Sequence, residues 1–403
     1  RACGGSLNAW PSLRKLCKSA AMKAGYIATT LALAAAFGPA AASPARRVQP
    51  VSQPLTVAID TAADKLAAGF LANRCRVGLS IAALVHGQVR FYDYGTASRQ
   101  TRRKATPDSI YEIASVTKTF TGALAAQAVS DGAMGVDRDF RSYLPQTYPN
   151  LERGGQPITL RSLATHRSGL PRDFPDTDAL YDHRDYRTLP DALLALDRGY
   201  DRDRYLTALH GIALRSTPGT TEAYSNLGMK VIGFGLETVR KQPFERLMRA
   251  SILRPLGMKD TDFVLTPAQR KRLATPYDRL GRATPYHLRN AGAAYGLYST
   301  PADMVRYVRW QLDENVPAIK LAHQPLVGTQ SDGEGLIWNM ALDNGQRMLW
   351  HGGGTFGMTS QVVLYPQTQE GYVLLANDAC EGTEGTLKQI AQQLHSTPKR
   401  MMG

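Results

Sequence analysis

The chain has 403 residues, of which 43% are hydrophobic and 20% are charged, and its net charge is +14. This length and composition are typical of one large or two smaller globular domains, and they exclude a disordered or fibrous protein. The basic residues are scattered among acidic ones, and Arg99–Lys104 is the densest cluster. No zinc-finger spacing or aromatic RNA-binding signature accompanies this cluster, so we expect no nucleic-acid partner. The charge suits an anionic envelope polymer equally well.

The segment from Met22 to Ser43 has the build of a secretory signal peptide. It has a basic start, an apolar stretch and a small-residue end, and cleavage is expected after Ala42. A retained membrane anchor is the alternative, but the stretch is Ala-rich and short for a span. We therefore expect residues 1–42 to be an upstream segment and signal peptide, with Arg1 and Met22 as two candidates for the start. The mature protein is expected to be periplasmic or secreted, with no stable membrane span.

The next segments alternate between strand-like and helical patterns. Thr56–Asn73 predicts an amphipathic helix, and Val77–Gly95 predicts a β-hairpin that turns at His86-Gly87-Gln88. From Ser115 to about residue 253 the pattern is helical with long polar loops, notably Arg172–Arg204. Further helices are predicted over 226–239 and 243–253.

The C-terminal third is β-like again, after one more helix. That helix lies in Tyr298–Asp313, with Ser299 or Thr300 as N-cap and Pro301 in the first turn. Gly335–Trp350 predicts a hairpin around an Asp-Asn-Gly turn. Two more strands follow at 358–366 and 371–378, and a helix at 384–395 closes the chain.

Strand-rich segments at both ends therefore flank a helical middle. This order predicts an α+β fold in which one antiparallel β-sheet is built from both termini, is flanked by helices, and receives an inserted, mostly helical lobe. We place the sheet region at 55–114 and 290–403 and the mainly helical region at 115–289. An active site is expected between the two.

Ser115 and Lys118 stand three residues apart where an apolar helix begins. A serine at a helix N-terminus lies near unpaired backbone N–H groups, and a lysine three residues on lies over the same face. If apolar neighbours exclude water, the lysine can accept a proton and activate the serine as a nucleophile. The alternative is an N-cap serine followed by a solvated lysine.

Two other short motifs could reach the same cleft. Tyr224 and Asn226 flank one residue just before a helix, where a tyrosine can relay a proton and an asparagine can hold an amide. The alternative is a packed tyrosine with Asn226 as helix cap. Three glycines then follow His351 after an apolar strand, so that a substrate or another backbone can come close. The alternative there is a loose turn with a surface histidine.

Together these elements resemble the serine β-lactamase and penicillin-binding protein superfamily, whose signature is Ser-x-x-Lys, Ser/Tyr-x-Asn and Lys/His-x-Gly in this order. The resemblance covers about residues 56–395. It is class C-like, with the greatest likeness to AmpH-type D-alanyl-D-alanine carboxypeptidase/endopeptidases. It implies the catalytic residues Ser115, Lys118 and Tyr224 and the substrate-binding residues Asn226, His351, Gly353 and Gly354.

The resemblance implies a serine hydrolase that acts on D-Ala-D-Ala-type peptidoglycan peptides and binds penicillins, with no metal or organic cofactor. A class C-like β-lactamase, a carboxylesterase and a penicillin-binding sensor stay open as alternatives. The third motif departs from Lys-Thr-Gly, because His351 and Gly352 supply neither a permanent cation nor a hydroxyl for a substrate carboxylate. Thr355 or Arg172 is a candidate replacement.

The cysteines left after cleavage are Cys75 and Cys380. An exported protein meets oxidants, so a disulfide is allowed, and two separate buried thiols are the alternative. In the resembled fold the strands beside these cysteines are antiparallel neighbours. We therefore hypothesise that Cys75 and Cys380 form a disulfide.

Overall fold

A computed structural model describes residues 53–177, 179–180, 185, 187–286 and 292–400. The predicted signal segment, residues 1–42, lies outside the described residues. Among the described residues, no helix combines the length and the apolar character needed to cross a membrane.

Helices lie at both ends of the described part of the chain and make up most of its middle. The α-helices, numbered here along the described residues, are α1 Gln53–Leu71, α2 Thr117–Ser130, α3 Leu160–Ala164, α4 Leu189–Asp197, α5 Arg202–Leu209, α6 Asn226–Arg240, α7 Phe244–Met248, α8 Pro267–Arg270, α9 Gly292–Tyr295, α10 Pro301–Gln311, α11 Pro317–Ala322 and α12 Thr383–Arg400. Short 3₁₀ turns lie at Ala114–Val116 and Phe140–Tyr143, and a π-helical turn at Arg249–Leu253 extends α7.

The strands come mostly from the two ends of the chain. They are β1 Gly78–Val85, β2 Gln88–Ser98, β3 Arg103–Lys104, β4 Tyr111–Glu112, β5 Glu152–Arg153, β6 Gln156–Pro157, β7 Tyr298–Ser299, β8 Val327–Gly328, β9 Asp332–Glu334, β10 Asn339–Asp343, β11 Gln346–Gly354, β12 Thr359–Tyr365 and β13 Glu370–Ala376.

One nine-stranded sheet has the order β3-β2-β1-β13-β12-β11-β10-β9-β8. Each neighbouring pair in it is antiparallel, and β1 from the N-terminal part lies beside β13 from the C-terminal part. The prediction of one antiparallel sheet built from both termini, with flanking helices, is confirmed. How far the regions 55–114 with 290–403 and 115–289 act as separate units stays a prediction.

Both faces of the sheet are covered, which explains why its central strands are apolar throughout. Successive residues of a strand point to opposite faces. Ile81 packs with α1 and α12 residues such as Phe70 and Ile390, whereas Ala82 packs against the cluster around α2 that includes Phe120. The sheet is thus the middle of three layers, with the terminal helices on one side and the central helices on the other.

The predicted hairpins and helix starts are found at their expected places. Gly87 and Gly345 have positive φ at the tight turns β1–β2 and β10–β11, where glycine is favoured. Thr300 is the N-cap of α10 and accepts a hydrogen bond from Asp303 N.

The prediction of a long polar loop over Arg172–Arg204 is wrong in part, because α4 and the beginning of α5 lie within it. Pro190 stands in the first turn of α4, and Leu189 and Leu193 are buried four residues apart on one side of the helix.

A disulfide joins Cys75 and Cys380, whose Cα atoms are 6.0 Å apart, so the disulfide hypothesis is confirmed. The register of β1 and β13 pairs Leu79 with Ala376, so the start of one strand meets the end of the other. Cys75 precedes β1 by three residues, and Cys380 follows the end of β13 by four. The covalent link therefore joins the segment before β1 to the segment that connects β13 with α12.

Candidate active site

Ser115 lies in the 3₁₀ turn Ala114–Val116 that leads into α2. Ala114, just before it, has φ of 47°, a left-handed conformation that is strained for a residue with a side chain. The N-cap of α2 is Val116, which forms no side-chain cap. The capping alternative for Ser115 is therefore wrong, and its half-buried hydroxyl is available to the cleft.

Lys118 is fully buried one turn after Ser115. Its Nζ lies 2.9 Å from Ser115 Oγ and 2.8 Å from the carbonyl oxygen of Ala294. Burial places the pKa of Lys118 well below its usual range; Asp173 opposes this shift, and the cations Arg172 and Lys230 reinforce it. The solvated alternative is wrong, and the environment favours an uncharged amine next to the serine hydroxyl.

Tyr224 approaches Ser115 from the loop that precedes α6. Its hydroxyl donates a hydrogen bond to Ser115 Oγ at 2.7 Å. The ring lies 4.3 Å from the ring of His166, so packing and hydrogen bonding both hold it in place. Burial raises the pKa of Tyr224 to about 12, against the lowering effects of Ser115 and Arg172. The hydroxyl is therefore protonated near neutral pH.

Asn226 opens α6, but Ser225 is the N-cap because its Oγ accepts a hydrogen bond from Gly228 N. The alternative of Asn226 as a cap is thus wrong. Asn226 Nδ2 donates to Asp173 Oδ1 at 2.9 Å, and its buried Oδ1 has no partner among the described residues. The amide is anchored on one side and leaves an acceptor on the other.

The glycines after His351 belong to β11, so the interpretation as a loose turn is wrong. Gly353 is pressed against the turn that carries the nucleophile: a Cβ there would lie 2.6 Å from Ser115 N. The backbone of β11 therefore reaches the turn of Ser115 only because residue 353 has no side chain. Gly354, at the end of this strand, also lines the cleft.

His351 is buried, and its Nδ1 donates to the carbonyl oxygen of Gly352 at 2.7 Å. Burial lowers the pKa of His351 to about 4, and Lys118 adds to this effect. The side chain is therefore neutral near pH 7. Because Nδ1 carries the proton, Nε2 has a free lone pair and accepts hydrogen bonds.

These residues line one cavity of about 480 Å³ between the central helices and the sheet. The cavity brings together Ser115, Tyr224, Asn226, His351, Gly353 and Gly354, with Lys118 buried behind the serine. Of the two suggested carboxylate binders, Arg172 lines the cavity, whereas Thr355 Oγ1 donates to Glu112 at 3.0 Å.

The sequence interpretation missed several charged residues of this cavity, among them Lys230 and Glu384. Lys230 Nζ donates to Tyr205 at 2.7 Å, and burial lowers the pKa of Lys230 to about 8. A lysine inside the apolar run of α6, four residues after Asn226, was a signal that could have revealed it. Glu384 gave no such signal, because an acid in the first turn of an amphipathic helix is ordinary.

Within the described residues, no group of three or more His, Cys, Asp or Glu side chains is arranged to hold a metal ion. Ser115 has one neighbour suited to accept a proton, Lys118, and one suited to donate a proton, Tyr224. Such a set performs nucleophilic acyl transfer.

Comparison with known proteins shows which family the sequence resembles. The model of the Beta-lactamase family matches residues 63–395. The D-alanyl-D-alanine-carboxypeptidase/endopeptidase AmpH of Escherichia coli K12 is 29% identical over 269 residues, which cover 66% of this chain and 65% of AmpH. A beta-lactamase of Providencia stuartii is 30% identical over 246 residues, 61% of this chain and 57% of that protein. The chain thus spans just under two thirds of the AmpH relative.

Solved structures agree in fold. A class C beta lactamase superposes with a TM-score of 0.71 at 20% identity, over 86% of this chain and 100% of the other. A beta-lactamase/D-alanine carboxypeptidase from Pseudomonas syringae gives a TM-score of 0.69 at 20% identity, over 85% of this chain and 99% of the other. With most of its length matched by the family model, the chain belongs to the Beta-lactamase family.

Proposed function

We propose that the protein is a serine acyl-transfer hydrolase that acts on D-Ala-D-Ala-type peptidoglycan peptides and is acylated by penicillins. One observation carries the proposal: Ser115 Oγ lies within hydrogen-bond distance of both buried Lys118 Nζ, at 2.9 Å, and Tyr224 OH, at 2.7 Å. The similarity to AmpH supports the choice of substrate class.

In the proposed acylation, the uncharged amine of Lys118 takes the proton of Ser115 as Oγ attacks the substrate carbonyl. Tyr224, protonated at neutral pH, gives its proton to the leaving nitrogen, and Lys118 then returns one to the tyrosine oxygen. The lowered pKa of Lys118 and the raised pKa of Tyr224 suit this division of roles. Water releases the acyl group by the same steps in reverse.

Backbone N–H groups and the side chain of Asn226 supply the remaining substrate contacts in this proposal. The N–H groups of Ser115 and Gly354 would stabilise the oxyanion, each contributing roughly 3–4 kcal/mol to the transition state. Asn226 would hold the substrate amide through its unpaired Oδ1. A periplasmic or secreted location is part of the proposal, and the disulfide supports it because disulfides persist in oxidising compartments.

The test is incubation with purified muropeptides, followed by mass spectrometry of the products. Release of D-Ala indicates a carboxypeptidase, and conversion of cross-linked dimers to monomers indicates an endopeptidase. Turnover of acyl esters or of penicillin with intact muropeptides would contradict the peptidase assignment and favour the carboxylesterase or β-lactamase alternative. Stable penicillin acylation without turnover of any of these compounds would identify a penicillin-binding sensor.

A further inference from the structure

Glu384 lies in the first turn of α12. Its carboxylate occupies the space that a side chain at position 352 of the third motif would take. A Cβ at Gly352 would overlap the Glu384 carboxylate and lie 2.7 Å from Gln361 Oε1. The Lys-Thr-Gly pattern would put a threonine at this position of the strand. Here the space holds a carboxylate from another element, and Gly352 is the residue that admits it.

The Glu384 carboxylate faces the cleft and is not used to hold the fold together. It lines the cavity, and no described residue donates a hydrogen bond to it. Lys388, one turn further along α12, is a nearby cation, but its Nζ lies 4.6 Å from the ring centre of Trp350. Burial raises the pKa of Glu384, as expected for a carboxyl group with little compensating charge.

His351, beside Gly352, also offers a hydrogen-bond acceptor to the cavity. Its Nδ1 proton is committed to the carbonyl oxygen of Gly352, so its Nε2 accepts hydrogen bonds. We name His351, Gly352 and Glu384 the third-motif wall. Its two side chains are acceptors, and one of them carries a negative charge when ionised. Such a surface repels a substrate carboxylate and attracts an N–H donor, above all an ammonium group.

The cations Arg172 and Lys230, which line the cavity, do not belong to the third-motif wall. Arg172 lies 5.5 Å from the ring centre of Tyr224 and 3.6 Å from Asp173, and Lys230 Nζ donates to Tyr205. They are contributed by the helical part of the chain, whereas Glu384 and His351 are contributed by the sheet and α12. The helical part also contributes the carboxylates of Asp173, Asp197 and Glu222, so cations and acids lie together there, whereas the third-motif wall has no cation of its own.

We propose that Glu384, with His351 Nε2, recognises a positively charged amino group on the leaving part of the substrate. The inference rests on the proposed acyl-transfer function and narrows its substrate class. The preferred substrates are acyl-D-Ala compounds whose leaving part carries an ammonium group, and those that end in a free carboxylate are disfavoured.

The experiment compares three peptides that differ only at the C-terminus. They are diacetyl-L-Lys-D-Ala-D-Ala as the free acid, as its amide and as its 2-aminoethylamide. For the unmodified protein we expect kcat/KM to rise in that order, by about tenfold from amide to aminoethylamide, a typical effect of one charge-assisted hydrogen bond.

Glu384→Gln should remove the advantage of the aminoethylamide over the amide, and Glu384→Lys should make the free acid the best substrate. Glu381→Gln is the matched control, because Glu381 precedes the same helix by two residues but does not line the cavity. It should keep the order of the unmodified protein. Melting temperatures of all variants show whether each is folded.

Two failures are distinguishable. If the unmodified protein and Glu384→Gln cleave the three peptides in the same ratio, the role of Glu384 is overturned and the peptidase function stands. If no peptide is cleaved, the peptidase function fails, and acylation by benzylpenicillin, its methyl ester and its diethylaminoethyl ester decides the role of Glu384. Faster acylation by the cationic ester, lost in Glu384→Gln, supports the proposal, and equal rates or no acylation overturn it.

Discussion

The two sides of the cleft are built in different ways. One side, which we name the nucleophile wall, consists of Ser115, Lys118 and Tyr224. Ser115 Oγ is hydrogen-bonded to Lys118 Nζ at 2.9 Å and to Tyr224 OH at 2.7 Å. On the third-motif wall, Glu384 accepts no hydrogen bond from the described residues. The nucleophile wall is preorganised by protein contacts for a step that every acyl substrate undergoes. The third-motif wall leaves acceptors for the substrate, so it is suited to choose among substrates.

This comparison predicts that changes in the nucleophile wall affect all substrates alike. The largest effect is expected for Ser115→Ala, which removes the attacking oxygen. Penicillin acylation and hydrolysis should fall by at least about 10⁴-fold, as for other nucleophile deletions. Intact-protein mass spectrometry measures the acylation. Ser142→Ala, at an exposed site on a 3₁₀ turn, is the control. Labelling that survives in Ser115→Ala would contradict the assignment.

Tyr224→Phe keeps the aromatic ring and removes the hydroxyl. Because the ring still packs on His166, we expect a small change in melting temperature and a fall in acylation rate of about 10²–10³-fold, the usual size of a general-acid effect. Stopped-flow kinetics with a chromogenic lactam gives the rate. Tyr94→Phe removes a hydroxyl that bonds Asp64 far from the cavity and should have the unmodified rate. An unchanged rate in Tyr224→Phe would leave the tyrosine with a packing role only.

Lys118→Met should lower acylation by about 10²–10⁴-fold, because the proton acceptor is lost. It should also change how stability depends on pH. The pKa of Lys118 is lower in the folded than in the unfolded protein, so folding releases a proton and the wild-type free energy of unfolding falls as the pH drops from about 10.5. The difference in free energy of unfolding should therefore shift in favour of Lys118→Met as the pH drops.

Denaturant titrations at several pH values measure this shift. Lys320→Met, at an exposed position in α11, is the control and should show no comparable change with pH. A difference between Lys118→Met and the unmodified protein that stays constant with pH would indicate that Lys118 is charged in the folded protein. The proposed role as a base would then be wrong.

Removal of the disulfide tests whether the third-motif wall can be changed without affecting the nucleophile wall. Replacing Cys75 and Cys380 together by serine should cost about 2–4 kcal/mol of the free energy of unfolding, because the link closes a very long loop. Cys380 is close to the start of α12, which carries Glu384. The differences in kcat/KM among the three test peptides should therefore become smaller, whereas the rate of acylation by a neutral lactam ester should change little. An equal loss with all substrates would show that the walls are coupled.

The smallest effect concerns pH. With a pKa of about 4, His351 stays neutral between about pH 5.5 and 7.5, where an unperturbed histidine would titrate. The pH profiles of acylation for the unmodified protein and for His351→Gln should therefore have the same shape in this range, although their magnitudes differ. An inflection near pH 6.5 that is absent from His351→Gln would show that His351 becomes charged in the cleft.

The structure also changes how a restored Lys-Thr-Gly motif should be made. Gly352→Thr would place its Cβ on the Glu384 carboxylate. The swap of His351 to Lys and Gly352 to Thr therefore needs Glu384→Ala as well, to open the space that the threonine occupies. We expect the triple variant, assayed with the same three peptides, to prefer the free acid.

The sequence by itself determined the antiparallel sheet built from both ends of the chain and the candidate residues Ser115, Lys118, Tyr224, Asn226 and His351. Such features depend on residues that are close in the sequence. The spacing of apolar residues indicates strands and helices, and the nucleophile motif is recognised from two residues within one helical turn. The helices α4 and α5 were the exception, because they are only nine and eight residues long and lie within a largely polar segment.

Tertiary structure alone decided the charge of the third-motif wall and the state of the ionisable groups. Glu384 is 32 residues from Gly352 and meets it only because α12 packs beside β11. The pKa values of Lys118, Tyr224 and His351 are shifted by burial, which depends on residues from several elements and leaves no trace in local spacing. The sequence therefore predicted which groups would perform the proposed reaction, and the packing of distant segments decided their burial and placed Glu384, on which the proposed preference for substrate charge depends.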